Sequence, residues 1–205
     1  MRQRPTFENF VISSPSRTAA QAAVRVCEEP ARAHNPLVLF GPTGSGKTHL
    51  LQAIEHAMQS HRVLRLSADD LANRITAASR AAEKFRIGDI DVLLIDDLEL
   101  MRDEKPNTRR ELIRTIDELT ASGVQVVVAC NAANEDIVHD SFPAAFAAEV
   151  AYPDPAARLE IATRAAAAHG IAMTEEMRAI IETSTGNPRE IEAAAARAAA
   201  AQLSI

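Results

Sequence analysis

Aromatic residues are scarce in this chain of 205 residues: they make up 3% of it, with one tyrosine and no tryptophan. A core must therefore be built from alanine, leucine, isoleucine and valine, which favours alanine-rich helices. Cysteine is also rare, since Cys27 and Cys130 are the only two and lie far apart in apolar surroundings. Such cysteines are typical of buried free thiols in a reducing compartment and not of a disulfide framework.

Long hydrophobic runs are missing as well. No apolar segment approaches 18 residues and none has the form of a signal peptide, so we expect a soluble, cytoplasmic protein with no membrane contact. The formal net charge is −6, which weighs against strong binding of duplex DNA, because that affinity depends on neutralising phosphates. A local basic groove is still compatible with this charge.

Strand-like and helix-like segments alternate over most of the chain. The predicted strands cover residues 37–40, 62–67, 89–95, 124–129 and 149–152. The predicted helices between them cover residues 16–29, 47–60, 67–85 and 107–121, and Val24 is expected on the buried face of the first. This alternation is typical of an α/β fold in which helices cover both faces of a parallel sheet. Three helical patterns without a strand then follow, so we divide the chain into an α/β domain (1–154) and a small helical unit (155–205).

A glycine-rich loop follows the first predicted strand. It fits the pattern G-x-x-x-x-G-K-[ST], in which backbone N–H groups cradle phosphate oxygens, the lysine contacts the β- and γ-phosphates and the hydroxyl binds Mg²⁺. A surface turn beside a solvated lysine is the alternative, but a strand-like run before the loop and a helical pattern after it favour a P-loop. The candidate nucleotide-binding residues are Gly41, Pro42, Thr43, Gly44, Ser45, Gly46, Lys47 and Thr48.

Polar side chains follow two later strands. Asp96 and Asp97 come after an apolar run, where the first could hold Mg²⁺ and the second could orient or deprotonate an attacking water. Their alternative role, capping the next loop, is weakened by the P-loop earlier in the chain. Asn131 could contact a γ-phosphate or cap its own loop. Arg189, at the start of the last helix, could fold back onto the phosphates, but on its chemistry alone an exposed helix-start arginine is the better explanation.

Several motifs together resemble one family. They are Thr-Phe-Glu-Asn-Phe-Val (6–11), Asn-Pro-Leu (35–37), Gly-Lys-Thr-His-Leu-Leu (46–51), Leu-Ile-Asp-Asp (94–97) and Asn-Pro-Arg-Glu-Ile-Glu (187–192). The chain is thereby similar, over nearly its whole length, to the AAA+ ATPase domain of the bacterial replication initiator DnaA and its relative Hda. This resemblance implies a P-loop AAA+ fold with a five-stranded parallel sheet and a three-helix lid, and it implies ATP or ADP and Mg²⁺ as ligands.

The resemblance also implies residue roles. Lys47 and Thr48 would contact phosphate and Mg²⁺, and Asp96 would be the Walker B carboxylate. The catalytic set would comprise Asp97, Asn131 as sensor 1 and Arg189 as sensor 2. Phe10 and Val11 would lie near the adenine. Other AAA+ subunits or replication proteins are the implied partners, with weak DNA contact through Arg74, Arg80, Lys84 and Arg86, although a solvated helix face explains these cations as well.

Three features depart from the family pattern. Ala145 stands where the family carries an arginine that acts in trans as a finger. The surroundings of Asn131 lack the usual hydroxyls and arginine, and no helix-turn-helix domain follows the lid. We therefore expect a nucleotide switch in replication initiation or its regulation, with weak or partner-dependent hydrolysis. The alternatives are an adaptor that uses nucleotide only structurally, and a segment of a longer initiator.

Overall fold

The structure is a computed structural model that describes residues 4–80, 87–98, 106–131, 142–183 and 187–202. Its strands are β1 (Leu37–Gly41), β2 (Val63–Ser67), β3 (Val92–Asp96), β4 (Gln125–Asn131) and β5 (Phe146–Glu149). Its helices are α1 (Arg17–Glu28), α2 (Lys47–Ala57), α3 (Ala68–Arg80), α4 (Pro106–Ala121), α5 (Pro155–Ala168), α6 (Glu175–Thr183) and α7 (Pro188–Gln202).

The five strands form one sheet in the order β2-β3-β4-β1-β5, and every neighbouring pair is parallel. Strand β4 lies between β1 and β3, so the carboxyl ends of these three strands meet at one edge of the sheet. At that edge Gly41 pairs with Asn131. Ligands of open parallel sheets bind at this kind of edge.

The core is divided between the two faces of the sheet, because successive side chains of a strand point to opposite faces. Leu37 and Leu39 pack with α1 and α2, whereas Val38 packs with α3 and α4. The same alternation runs through β3 and β4, whose side chains are almost all buried. The predicted α/β fold with helices on both faces is confirmed.

Cys27 and Cys130 are not joined in a disulfide bond. Cys130 is buried in the core, while Cys27 is half-buried at the end of α1. Burial, with a smaller effect from the charge of Glu28, raises the pKa of the Cys27 thiol to about 11. This thiol is therefore protonated and unreactive at neutral pH.

The fifth strand was predicted in the wrong place. Residues 149–152 alternate like a strand, but β5 is Phe146–Glu149. After Glu149 the chain leaves the sheet: the N–H of Val150 still donates to the Phe40 carbonyl (2.6 Å), and the carbonyl of Ala151 accepts a bond from the Ser16 hydroxyl (3.2 Å). The strand itself contains two alanines, which give no clear hydrophobic alternation.

Helices α5, α6 and α7 form the small helical unit, or lid. Asp154 caps the start of α5 by accepting a hydrogen bond from the N–H of Ala157 (2.9 Å). The lid has an apolar cluster of its own, made of Ala162, Ile181 and Ile191. None of the described helices is both long and apolar enough to cross a lipid bilayer.

Candidate nucleotide-binding site

The glycine-rich loop joins the end of β1 to the start of α2, as predicted. Gly44 and Gly46 have φ values of 82° and 116°. Residues other than glycine rarely adopt this backbone conformation. Other parts of the chain also approach these glycines closely. A Cβ at position 46 would lie 3.0 Å from Phe10 Cε2, and one at position 44 would lie 2.8 Å from Asn187 Cγ. The loop therefore requires glycine both for its conformation and for these contacts.

Lys47 is buried at the first position of α2. Its ammonium donates to the carbonyls of Gly41 (2.8 Å) and Pro42 (3.0 Å), and to Asn131 Oδ1 (3.3 Å). The Thr43 hydroxyl donates to the same Asn131 oxygen (3.2 Å). The structure thus brings the predicted sensor asparagine against the P-loop, since β4 pairs directly with β1.

Thr48 and Asp96 also meet. The Thr48 hydroxyl donates to Asp96 Oδ1 (3.3 Å), which accepts a second bond from the N–H of Asp97 (3.2 Å). Asp96 is 8% exposed, and its pKa is raised, first by burial and then by the charge of Asp97. A hydroxyl and a carboxylate so placed are the kind of ligands that Mg²⁺ takes in phosphate-binding sites, where water and substrate phosphates complete its shell.

Asp97 occupies a left-handed backbone conformation, with φ of 57°, and its side chain is exposed. This conformation is uncommon for a non-glycine residue and is found disproportionately at functional sites. It turns the chain sharply at the end of β3. The carboxylate of Asp97 is consequently open to solvent, whereas that of Asp96 faces Thr48.

The N-terminal arm lies beside the first turn of α2. The ring of Phe10 packs edge-to-face on His49, with ring centroids 5.3 Å apart, and His49 Nε2 lies 3.0 Å from the Thr6 carbonyl. Burial lowers the pKa of His49, so a neutral ring donates its Nε2–H to that carbonyl. Phe10 and Val11 are both half-buried. The arm is therefore fixed next to the P-loop, where the predicted adenine contact would require it.

The last predicted residue, Arg189, lies in the first turn of α7 and is exposed. Among the described residues, no hydrogen bond or ion pair joins it to the P-loop. The lid residue that lies close to Gly44 is instead Asn187, two positions earlier in the chain. Asn187 also caps α7, accepting from the N–H of Glu190 (3.1 Å) and donating to its carboxylate (3.3 Å).

Sequence reasoning missed two P-loop contacts. One is that of Asn187, although the Asn-x-x-Glu spacing is a recognisable capping signal. The other is that of Tyr152, whose hydroxyl donates to the Thr43 carbonyl (3.1 Å). Nothing in the local sequence around Tyr152 indicates this contact.

The residues present fit a nucleotide phosphate with Mg²⁺. In addition to the glycine turn and the lysine, the site has the buried hydroxyl of Ser45, which finds no hydrogen-bond partner among the described residues. Such a group commonly indicates a ligand or ion. The start of α2 has no side-chain cap, which leaves N–H groups for an anion. In the described parts of the chain, no three His, Cys, Asp or Glu residues form a metal cluster. Metal binding at this site would therefore depend on the phosphates.

The sequence has no arginine at the position expected for a finger. Ala145 packs against the core face that α3 and α4 cover, and the sequence has no lysine or arginine between Arg114 and Arg158. Of the cations proposed for DNA contact, Arg74 and Arg80 are exposed on α3, while Lys84 and Arg86 lie outside the described residues. So do residues 132–141, which follow Asn131.

Comparisons with known proteins agree with this geometry. Residues 1–141 match the family described as the bacterial DnaA ATPase domain. The chromosomal replication initiator protein DnaA of Corynebacterium jeikeium is 32% identical over 190 residues, which cover 86% of this chain and 32% of that protein. The chain thus spans about a third of the length of that curated relative.

Solved structures give the same relationship. Domain III of the Thermotoga maritima replication initiation protein DnaA has a TM-score of 0.80 and 27% identity, covering 95% of this chain and 87% of that one. The AMPPCP-bound DnaA from Aquifex aeolicus has a TM-score of 0.78 and 25% identity, covering 93% and 63%. With its P-loop, its paired carboxylates and a family match over residues 1–141, the chain belongs to the bacterial DnaA ATPase domain family.

Proposed function

We propose that this chain is an ATP-binding module that uses ATP or ADP with Mg²⁺ as a switch in DNA replication initiation or its regulation. The observation that carries the proposal is the meeting of Lys47 with Asn131, and of Thr48 with Asp96, at one edge of the sheet. The AMPPCP bound to the A. aeolicus relative supports the same class of ligand. Other AAA+ subunits or replication proteins are the partners we infer.

Each side chain has a role in this proposal. The Lys47 ammonium exchanges its carbonyl partners for phosphate oxygens, and the N–H groups at the start of α2 add their partial positive charge. Thr48 and Asp96 hold Mg²⁺, which would neutralise charge on the phosphates. Phe10 and Val11 border the adenine. Asp97, exposed beside Asp96, orients the attacking water.

Hydrolysis is proposed to be weak. Asn131 and Arg189 can contact phosphate within one subunit, but the segment that would present an arginine to a neighbouring subunit has Ala145 and no cation from 115 to 157. An arginine finger contributes about 10³–10⁵ in rate to related reactions. Without it, we infer that bound ATP is hydrolysed slowly unless a partner supplies the charge.

Calorimetric titration of the purified chain with Mg-ATP and Mg-ADP tests this proposal. We expect the wild type to bind both, and Lys47→Ala to weaken binding about 10- to 100-fold, because it removes charge-assisted hydrogen bonds. Arg25→Ala is the matched control. It also removes one cation, from an exposed ion pair with Glu29 at the end of α1, and should bind as the wild type does. Absence of binding by the wild type would refute the proposal.

A regulatory adaptor that uses nucleotide only structurally is the second candidate. It is favoured by the alanine, Ala145, at the position expected for the arginine finger. Partner capture by Lys47→Ala and by Asp97→Ala discriminates the two. A switch loses nucleotide-dependent capture in at least the lysine variant, whereas capture that survives both substitutions indicates the adaptor. For DNA, the net charge of −6 leads us to expect weak contact by this chain alone.

A further inference from the structure

Tyr152 is the only tyrosine of the chain, and it lies in the segment that joins β5 to the lid. Its hydroxyl donates to the carbonyl of Thr43 in the P-loop at 3.1 Å. The residue is 40% exposed, so packing alone does not explain its position. This hydrogen bond connects the residue that leads into the lid with the loop that would hold phosphate.

The backbone on both sides of Tyr152 is fixed. Before it, the N–H of Val150 donates to Phe40 at the end of β1 (2.6 Å), and the carbonyl of Ala151 accepts from Ser16 (3.2 Å). After it, the Asp154 carboxylate accepts from the N–H of Ser14 (3.2 Å). Because the residues before and after Tyr152 are held in this way, its phenol can support the P-loop.

Thr43 links Tyr152 to Lys47 through Asn131. Its side chain is exposed, so hydrogen bonds and not packing determine its orientation. Its hydroxyl donates to Asn131 Oδ1 (3.2 Å), and the same oxygen accepts from the Lys47 ammonium (3.3 Å). A continuous series of hydrogen bonds therefore runs from Tyr152 through Thr43 and Asn131 to Lys47.

A second contact joins the lid to the adjacent P-loop residue. Asn187, at the start of α7, approaches Gly44 so closely that a Cβ there would lie 2.8 Å from its Cγ. The segment just before the lid and the start of α7 thus contact two neighbouring P-loop residues, Thr43 and Gly44.

We propose that Tyr152 is a positioning residue of the P-loop: through Thr43 it sets the positions of Asn131 and Lys47, and it couples nucleotide binding to the start of the lid. This inference rests on the proposed binding of nucleotide at the P-loop. Because coupling between two sites is reciprocal, nucleotide must change the surroundings of Tyr152 if Tyr152 changes nucleotide affinity.

Tyr152→Phe removes the hydroxyl and keeps the ring. We expect it to weaken Mg-ATP and Mg-ADP binding roughly three- to tenfold, the effect of one lost hydrogen bond, while the melting temperature of the nucleotide-free protein stays close to that of the wild type. Thr163→Val is the control, since it removes an exposed lid hydroxyl that also donates to a carbonyl, that of Leu159 (2.8 Å). Equal affinities of Tyr152→Phe and the wild type would overturn the inference.

A double-mutant cycle separates coupling from a merely structural effect. Thr43→Val removes the bond to Asn131 but keeps the backbone carbonyl that Tyr152 contacts. If the bonds act in series, Tyr152→Phe should weaken binding less in the Thr43→Val background than in the wild type. Two effects that simply multiply would show that Tyr152 acts independently of the series, against the inference.

The single tyrosine also permits direct observation. In protein made with fluorotyrosine, one fluorine resonance reports on Tyr152 alone. We expect it to shift on addition of Mg-ADP in the wild type, and to require about 10- to 100-fold more Mg-ADP for the same shift in Lys47→Ala. If calorimetry detects no nucleotide binding at all, the proposed function fails. If nucleotide binds but neither the resonance nor the Tyr152→Phe affinity changes, only the role of Tyr152 is refuted.

Discussion

Asp96 is a charged residue at a position where folding alone favours an apolar one. It ends β3, whose other four residues are all buried and apolar. Burial raises the pKa of its carboxyl group and the charge of Asp97 raises it further, against the smaller opposite effect of the Thr48 hydroxyl. Carboxylates of this kind are concentrated at functional sites, where binding a cation compensates the cost of burial.

We therefore predict that Asp96→Asn stabilises the protein at neutral pH. The folded state raises this pKa above the ordinary 3.8, so ionisation lowers the free energy of unfolding as the pH rises from 3.8 through the folded-state pKa. Asparagine keeps the oxygen that Thr48 contacts and avoids that loss. A gain of about 1 kcal/mol would raise the melting temperature by roughly 2–4 °C.

Thermal denaturation at acidic and neutral pH, without nucleotide, measures the effect of Asp96→Asn. The gain should shrink towards acidic pH, where the wild-type carboxyl is protonated. Asp117→Asn, on the exposed face of α4, is the control and should change little. A lower melting temperature for Asp96→Asn at neutral pH would contradict the argument. Its Mg²⁺-dependent nucleotide binding should be weaker, because the charge of a proposed Mg²⁺ ligand is lost.

At the scale of elements, the N-terminal arm, α1 and the lid are joined at Asp154. One carboxylate oxygen accepts from the N–H of Ala157 (2.9 Å) and so begins α5, while the other accepts from the N–H of Ser14 (3.2 Å), just before α1. The N–H of Ala157, and to a smaller extent that of Ser14, lowers the pKa of Asp154. A single side chain thus fixes the start of the lid and the end of the arm.

Asp154→Ala is predicted to destabilise the protein by about 1 kcal/mol, the usual cost of losing a helix N-cap, and to lower the melting temperature by roughly 2–4 °C. The folded-state pKa lies below 3.8, so the stabilisation by the charge is present above pH 3.8 and is lost as the pH falls through the folded-state pKa. Asp154→Asn retains a capping oxygen and should recover most of the loss at neutral pH. Equal melting curves for Asp154→Ala and the wild type would contradict the prediction.

The sequence predicts well the elements whose signals are local. The glycine loop and the β3 run into Asp96 were both recognisable. Alanine-rich elements were harder, because alanine does not distinguish a buried from an exposed face: Val24 was expected to be buried, yet it is 37% exposed, and Val26 is buried in its place. Long-range contacts that belong to no recognisable motif could not be predicted. Tyr152 and Thr43 are separated by 109 positions, and only the packing of the whole fold brings them together.

At the scale of the whole molecule, the distribution of cations restricts how subunits can cooperate. No lysine or arginine occurs from residue 115 to residue 157, a stretch that includes β4, β5 and Ala145. A second copy of this chain therefore cannot present an arginine from this stretch to the phosphates of its neighbour. An identical neighbour could complete the nucleotide site only with a cation from another part of the chain, and otherwise a different protein would have to supply that charge.

The final prediction concerns how the rate of ATP hydrolysis per subunit depends on protein concentration. Because a trans arginine worth about 10³–10⁵ in rate is missing, association of identical subunits should add nothing to catalysis. The steady-state rate per subunit should be slow and constant over a wide range of concentration, with or without single-stranded DNA. Asp97→Ala removes the exposed carboxylate beside Asp96, and its rate measures the hydrolysis that does not depend on this carboxylate. A rate per subunit that rises with concentration, absent from Asp97→Ala, would show that another cation of the chain completes its neighbour's site.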